Sequence, residues 1–191
     1  MKICILGDGL TGLTLAKALV KKGVYVDIFS SKTNKKKDKS RTLGISKTNV
    51  EFFNKNISDI ENLLWNIKKI EIYSENLKNE KIINFEKNDQ RLFSILKNHK
   101  LISKLVLELK KNKLFKFKTG YNNFEIIQKK YKLIINCDLN NRISKNFFYK
   151  RFNKNYNSHA YTSIIEHEYV SKNNIAYQTF TKKGPIAFLP I

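Results

Sequence analysis

Six residues, Gly7-Asp8-Gly9-Leu10-Thr11-Gly12, constrain the fold of this chain more than any other stretch. They follow Lys2 to Leu6, an apolar run too short for a helix and bounded by glycine, which reads as a buried parallel strand. After them Leu10, Leu13, Ala16, Leu19 and Val20 recur at helical spacing until Gly23 closes the helix. Val24 to Phe29 is strand-like again. Strand, glycine turn, helix and strand within about 30 residues form the opening unit of a dinucleotide-binding fold. Gly7 allows the tight exit from the strand, Gly9 admits a pyrophosphate close to the backbone, and Gly12 lets helix and strand approach each other. The first turn of the helix, Leu10, Thr11 and Gly12, then turns its unpaired N–H groups toward the phosphates. The glycines alone would be compatible with a chance turn; the elements on either side carry the reading.

A carboxylate at the end of the second strand ordinarily holds the ribose hydroxyls, but here that position falls on Ser30. Asp27 is close by but sits mid-strand, its side chain on the opposite face from Ile28 and Ser30, so it reads as a structural or edge residue. Ser30 is left as a weaker ribose contact.

The chain has 37 Lys and Arg against 16 Asp and Glu, a net charge of +21, which raises nucleic acid or an anionic membrane as partner. Its lysines are scattered and its only arginines are Arg41, Arg91, Arg142 and Arg151. With Asn and Ile also abundant, an AT-rich coding sequence accounts for the bias, and no nucleic-acid partner is expected. The densest run, Lys35-Lys36-Lys37, reads as a solvated loop. Cys4 and Cys137 lie in or just after apolar runs and have no Cys or His neighbour at ligand spacing, so neither a disulfide nor a metal site is expected. No apolar run reaches membrane-spanning length and no signal-peptide core follows Met1-Lys2. The expectation is a soluble cytoplasmic protein.

Beyond the opening unit, Arg41 to Ser46 reads as extended and Lys47 to Lys55 as a helix with Val50 and Phe53 inward. Trp65 to Tyr73 and Lys81 to Phe85 form a hairpin around a polar turn. Leu101, Leu105 and Leu109 mark an amphipathic helix ending near Lys111. Leu114 to Lys118, Asn122 to Gln128 and Tyr131 to Asn136 read as strands, and Asn140 to Asn157 as a loop. Ala160 to Tyr169, Ile175 to Thr181 and Pro185 to Ile191 read as consecutive strands of an antiparallel sheet.

In order along the chain, Gly7 to Gly12, Arg41-Thr42-Leu43-Gly44-Ile45-Ser46, Cys137-Asp138, and the stretch from Ala176 through Phe180-Thr181-Lys182-Lys183-Gly184-Pro185-Ile186-Ala187-Phe188-Leu189-Pro190 resemble the flavin-dependent aromatic hydroxylases of ubiquinone biosynthesis. These are the 2-polyprenylphenol hydroxylases, relatives of para-hydroxybenzoate hydroxylase. The closing stretch is the most specific part. The resemblance implies an α/β protein, a Rossmann-like FAD-binding domain with an antiparallel β-sheet substrate domain, incomplete at the C-terminus. Residues 1–64 and 91–150 would form the first domain, and 65–90 and 151–191 part of the second. It also implies FAD, NAD(P)H as co-substrate, molecular oxygen and a prenylated aromatic substrate. Scattered lysines are compatible with peripheral contact at the inner face of a membrane.

By position, the resemblance puts Gly7, Gly9 and Gly12 along the FAD pyrophosphate, Arg41 near the flavin and its phosphates, and Asp138 in the second flavin motif. That motif has Asp-Gly followed by Ser and Arg, whereas this chain reads Asp138-Leu139-Asn140-Asn141-Arg142-Ile143-Ser144-Lys145. The blander readings are a surface cation for Arg41 and a turn residue for Asp138. A later Gly-Asp motif has no counterpart, which implies the amino-terminal part of such an enzyme.

No side-chain catalyst is expected. His99, His159 and His167 are dispersed, and Glu166-His167-Glu168 would alternate across a strand as a solvated face. The rival readings are a flavin oxidoreductase without oxygen insertion and a basic RNA- or membrane-binding module on a degenerate nucleotide fold.

Overall fold

Apolar runs and helical repeats become elements where they find cover, and the computed structural model describes them over residues 2–30, 39–78, 80–88, 90–119, 124–138, 140–147, 152–168 and 173–191. In chain order they are β1 (Lys2–Leu6), α1 (Leu10–Lys21), β2 (Tyr25–Ser30), β3 (Thr42–Ser46), α2 (Lys47–Asn56), β4 (Trp65–Ile67), β5 (Lys69–Ser74), β6 (Glu80–Glu86) and β7 (Phe93–Lys97). There follow α3 (Asn98–Lys110), β8 (Phe115–Thr119), α4 (Phe124–Lys130), β9 (Leu133–Asn136), α5 (Arg142–Phe147), β10 (Ile175–Thr181) and β11 (Gly184–Phe188). They divide into two units. The first holds Met1–Asp38, Asn56–Ser58 and His99–Ser163, the second Lys39–Lys55, Asp59–Asn98 and Ile164–Ile191.

In the first unit β1, β2, β8 and β9 form a parallel sheet in the order β8-β2-β1-β9, with Ile3 opposite both Val26 and Leu133. The uninterrupted apolar character of β1 follows from cover on both faces. Gly12 of α1 lies over Ile5, while Ile127 and Tyr131 cover Cys4 and Leu6. Lys17 of α1 pairs with Glu108 of α3 at 2.7 Å, and Glu108 also accepts the Ser58 hydroxyl at 2.8 Å.

Asp27 is structural, as its mid-strand position indicates. It is 1% exposed, pairs with Lys2 at 2.9 Å and accepts the Tyr131 hydroxyl at 2.5 Å. A buried carboxylate needs such partners. Burial first, and the neighbouring Asp27 second, push the Tyr131 phenol well above its ordinary range. Its ring meets Phe29 edge to face at 6.1 Å.

The second unit contains a three-stranded antiparallel sheet, β3-β7-β4, and a four-stranded sheet, β11-β10-β5-β6. In the latter, β5–β6 and β10–β11 are antiparallel as expected, but β10 joins β5 in parallel, with Ala176 opposite Ile70. Ile67, Ile95 and Ala176 form the core between them, with Ile70, Phe93 and Ile191 against it. Across the other face of β5, Glu71 is buried among Lys81, Lys69 and Tyr73. Lys81 above all, then Tyr73 and Lys69, outweigh the burial and hold the Glu71 carboxyl down at about 2.

Several local expectations change. Phe124 to Gln128, within the segment read as a strand, is helical, because Ile127 and Tyr131, four apart, reach the same β1 side chains; Asn122 and Asn123 lie outside the described residues. Within Asn140 to Asn157 lies α5, capped by Asn141, whose Oδ1 accepts the Ser144 N–H at 2.8 Å. Residues 160–168 form no strand and are exposed, Tyr161 at 93%; alternation without a pairing partner does not make a strand. Trp65 to Tyr73 is two strands serving different sheets, and Phe93–Lys97 is an additional strand. Residues Lys35 to Lys37, Leu139 and Tyr169 lie outside the described residues.

Candidate functional site

The sheet order runs outward from β1 in opposite directions, through β2 to β8 on one side and to β9 on the other. In parallel α/β sheets the crevice beyond the carboxyl ends of such a central pair is where nucleotides sit. The glycine turn occupies this place. Gly7 N–H donates to Phe29 O at 2.9 Å and Cys137 N–H to Leu6 O at 2.8 Å, so the exit of β1 is held between the ends of β2 and β9.

Gly7 and Gly12 are required sterically. Gly7 has φ of +104°, and a Cβ there would stand 3.0 Å from Asp138 Cβ. A Cβ on Gly12 would come within 2.1 Å of the Gly7 carbonyl oxygen. Gly9 differs: its backbone is extended at φ −71° and ψ 176°, and among the described residues a Cβ there would meet nothing within 4 Å. Packing does not demand glycine at this position, which leaves close approach by something outside the protein as its physical use. The first intrahelical bond runs from Leu13 N–H to Gly9 O at 3.0 Å, so the N–H groups of Leu10, Thr11 and Gly12 precede the helical ladder. Asp8, Gly9 and Thr11 are exposed, and the first turn of α1 carries no acidic residue. The positive end of the helix is therefore open to an anion.

Ser30 ends β2, half-buried and opposite Thr119 of β8, at the same edge. Asp138 follows β9 beside Gly7 in a built turn. Its N–H donates to Asn136 Oδ1 at 3.1 Å, its carboxylate accepts Asn140 N–H at 3.0 Å, and its carbonyl accepts the Ser144 hydroxyl at 2.9 Å. Asn141 Nδ2 also donates to Asn136 Oδ1, at 2.6 Å. Asn136, Asn141 and Ser144 are thus positioning residues that sequence reading passed over; the Asn141-x-x-Ser144 capping spacing was the available signal. Arg41 lies in the second unit, exposed at the entry to β3, where its carbonyl accepts Asn98 N–H at 3.0 Å. Gly7, Gly9, Leu10, Thr11, Gly12, Ser30 and Asp138 therefore share one edge of one sheet, whereas Arg41 belongs to a separate unit.

The cysteines are protonated packing groups. Burial first and Asp27 second push the Cys4 thiol up to about 12, and burial raises Cys137. Among the described residues no group of three His, Cys, Asp or Glu could hold a metal, and no helix is long and apolar enough to cross a membrane. Glu166, His167 and Glu168 are exposed on a segment without strand structure.

No protein-family model matches the chain, and no curated protein matches it. Solved structures do. The chain is similar to the p-nitrophenol 4-monooxygenase PnpA from Pseudomonas putida DLL-E4, with 17% identity, TM-score 0.51, and coverage of 61% of this chain and 31% of that one. It is similar to P. aeruginosa PqsL in complex with 2-aminobenzoylacetate, at 14% identity, TM-score 0.52, covering 62% of this chain and 33% of that one. A third is FqzB, at 22% identity, TM-score 0.50, covering 63% and 28%. This chain spans about a third of the length of these proteins. The likeness establishes the fold: a mixed α/β arrangement with a parallel nucleotide-type sheet and antiparallel strands.

Proposed function

We propose that the chain belongs to an FAD-dependent monooxygenase that hydroxylates an aromatic ring. The observation that carries this reading is the Gly7–Gly12 turn at the carboxyl end of β1, with an open position at Gly9 and the α1 amino terminus behind it. The residues fit the group: Leu10, Thr11 and Gly12 N–H groups would hold the pyrophosphate, Ser30 would meet a ribose hydroxyl, and Asp138, fixed by its Asn136–Ser144 turn, would flank the crevice. The fold shared with a nitrophenol monooxygenase supports the reaction class.

Bound flavin would supply the redox chemistry, taking electrons from NAD(P)H and activating molecular oxygen. The chain's own residues bind and orient; none of the described side chains is assigned a proton-transfer role. In this reading Arg41 adds a cation near the cofactor, residues 1–64 and 91–150 serve the cofactor, and 65–90 and 151–191 the substrate. The closing Phe180 to Pro190 stretch supports a polyprenylated phenol of ubiquinone biosynthesis as substrate.

Purified as it occurs in its cell and supplied with FAD, NAD(P)H and a prenylated phenol under labelled dioxygen, the protein is expected to place one labelled oxygen atom on the ring. Cofactor oxidation without label in the product would instead identify an oxidoreductase without oxygen insertion.

A further inference from the structure

The parallel sheet has a second edge, opposite the glycine turn, where helices end and strands begin. Each of its three helix-to-strand junctions is basic. Lys22 closes α1 before β2, Lys111 and Lys113 link α3 to β8, and Lys129, Lys130 and Lys132 lead from α4 into β9. All six are exposed. The stretches 18–25, 109–116 and 127–133 contain no Asp, Glu or Arg. One lysine per helix end is what the helix dipole favours. Lys113 and Lys132 lie beyond the helices, in the turns, where the dipole gives no such preference.

Strand pairing brings the three junctions to one line. Four strands at about 4.8 Å spacing span roughly 15 Å, so the charges fall within about two Debye lengths at physiological salt and act together. Between them stand two exposed apolar side chains, Tyr25 at 52% and Leu133 at 45%, the first residues of β2 and β9 and next but one across β1. A row of lysines around an exposed tyrosine and leucine matches the charge and polarity of a lipid headgroup layer. Duplex recognition favours the planar fork of arginine, and this edge has none.

We infer that the amino-terminal edge of the parallel sheet docks on the anionic phospholipid surface of a bilayer. The five residues of β1 separate it by about 16 Å from the glycine turn, so docking leaves the carboxyl edge open. The inference does not depend on which cofactor, if any, the turn holds.

The test is flotation of the whole chain with vesicles of phosphatidylcholine alone or mixed with phosphatidylglycerol, at about 0.15 M salt. The protein is expected to float only with the anionic vesicles. A variant with Lys22, Lys111, Lys113, Lys130 and Lys132 changed to Gln should lose at least about tenfold in vesicle affinity. A control variant with Lys47, Lys78, Lys87, Lys182 and Lys183 changed to Gln carries the same net charge and should keep most of it. Circular dichroism establishes that both are folded. Equal loss in the two variants would reduce the effect to net charge and overturn the inference. Tighter binding of the wild-type protein to duplex DNA or RNA than to vesicles at that salt would also overturn it, as would flotation with neither vesicle.

Discussion

At the scale of single residues, the three glycines of one motif are separable by what surrounds them. Gly12 is held by contact with the Gly7 carbonyl oxygen, so Gly12→Ala must displace backbone and should destabilise the fold by about 1–3 kcal/mol, read as a lower urea midpoint. Gly9 meets no described atom and has an ordinary backbone conformation, so Gly9→Thr, a residue that caps helices about as well as glycine, should leave the unfolding free energy within about 0.5 kcal/mol. The positions of all three glycines and a separate reason for each were legible in the sequence; the atoms that enforce them, Asp138 beside Gly7 and the Gly7 carbonyl beside Gly12, come from the fold. Asp27 teaches the same lesson. Its position on the strand indicated a structural role, but its partner Tyr131 lies 104 residues away. Tyr131→Phe keeps the ring against Phe29 and removes the hydroxyl, leaving a buried carboxylate with one partner fewer. It should cost about 1–3 kcal/mol in the same measurement.

At the scale of elements, legibility followed how local the deciding contacts are. The β1-α1-β2 unit is settled by neighbours in sequence, and the structure has strand, helix and strand where the pattern puts them. Asn122 to Gln128 reads as a strand because Phe124-Glu125-Ile126-Ile127-Gln128 is short and β-favouring, while what makes α4 a helix is the four-residue step from Ile127 to Tyr131 against Cys4 and Leu6. The parallel pairing of β10 with β5 joins segments about a hundred residues apart, and no local pattern encodes its direction.

Glu71, on β5, makes the second unit's sheet pH-sensitive in one direction. Its folded value of about 2 lies below the ordinary 4.5, so the charged form is favoured in the folded state. The stabilisation is present in full above the unfolded value and is lost as pH falls from about 4.5 toward 2. The stability difference between wild type and Glu71→Gln should therefore be constant from pH 7 to about 5 and shrink below that, as followed by urea unfolding.

At the scale of the whole molecule, a single parallel sheet offers two edges with opposite chemistry. The carboxyl edge gathers Gly7, Gly9, Gly12, Ser30 and Asp138 around a helix amino terminus, and the amino edge gathers lysines. The glycines of the first were legible in one short motif, and Ser30 and Asp138 reach it from the ends of neighbouring strands. The second was not, because lysines spread through the sequence look like composition until strand order lines them up. The central claim is that the carboxyl edge binds FAD through its pyrophosphate, and a titration of FAD against the wild-type chain and Gly9→Thr, followed by flavin fluorescence anisotropy with thermal melts alongside, tests it most directly. The account predicts saturable binding by the wild type and a loss of at least about tenfold in Gly9→Thr with an unchanged melt. Equal affinity in the two proteins, or a folded wild-type chain that ignores FAD, would contradict it.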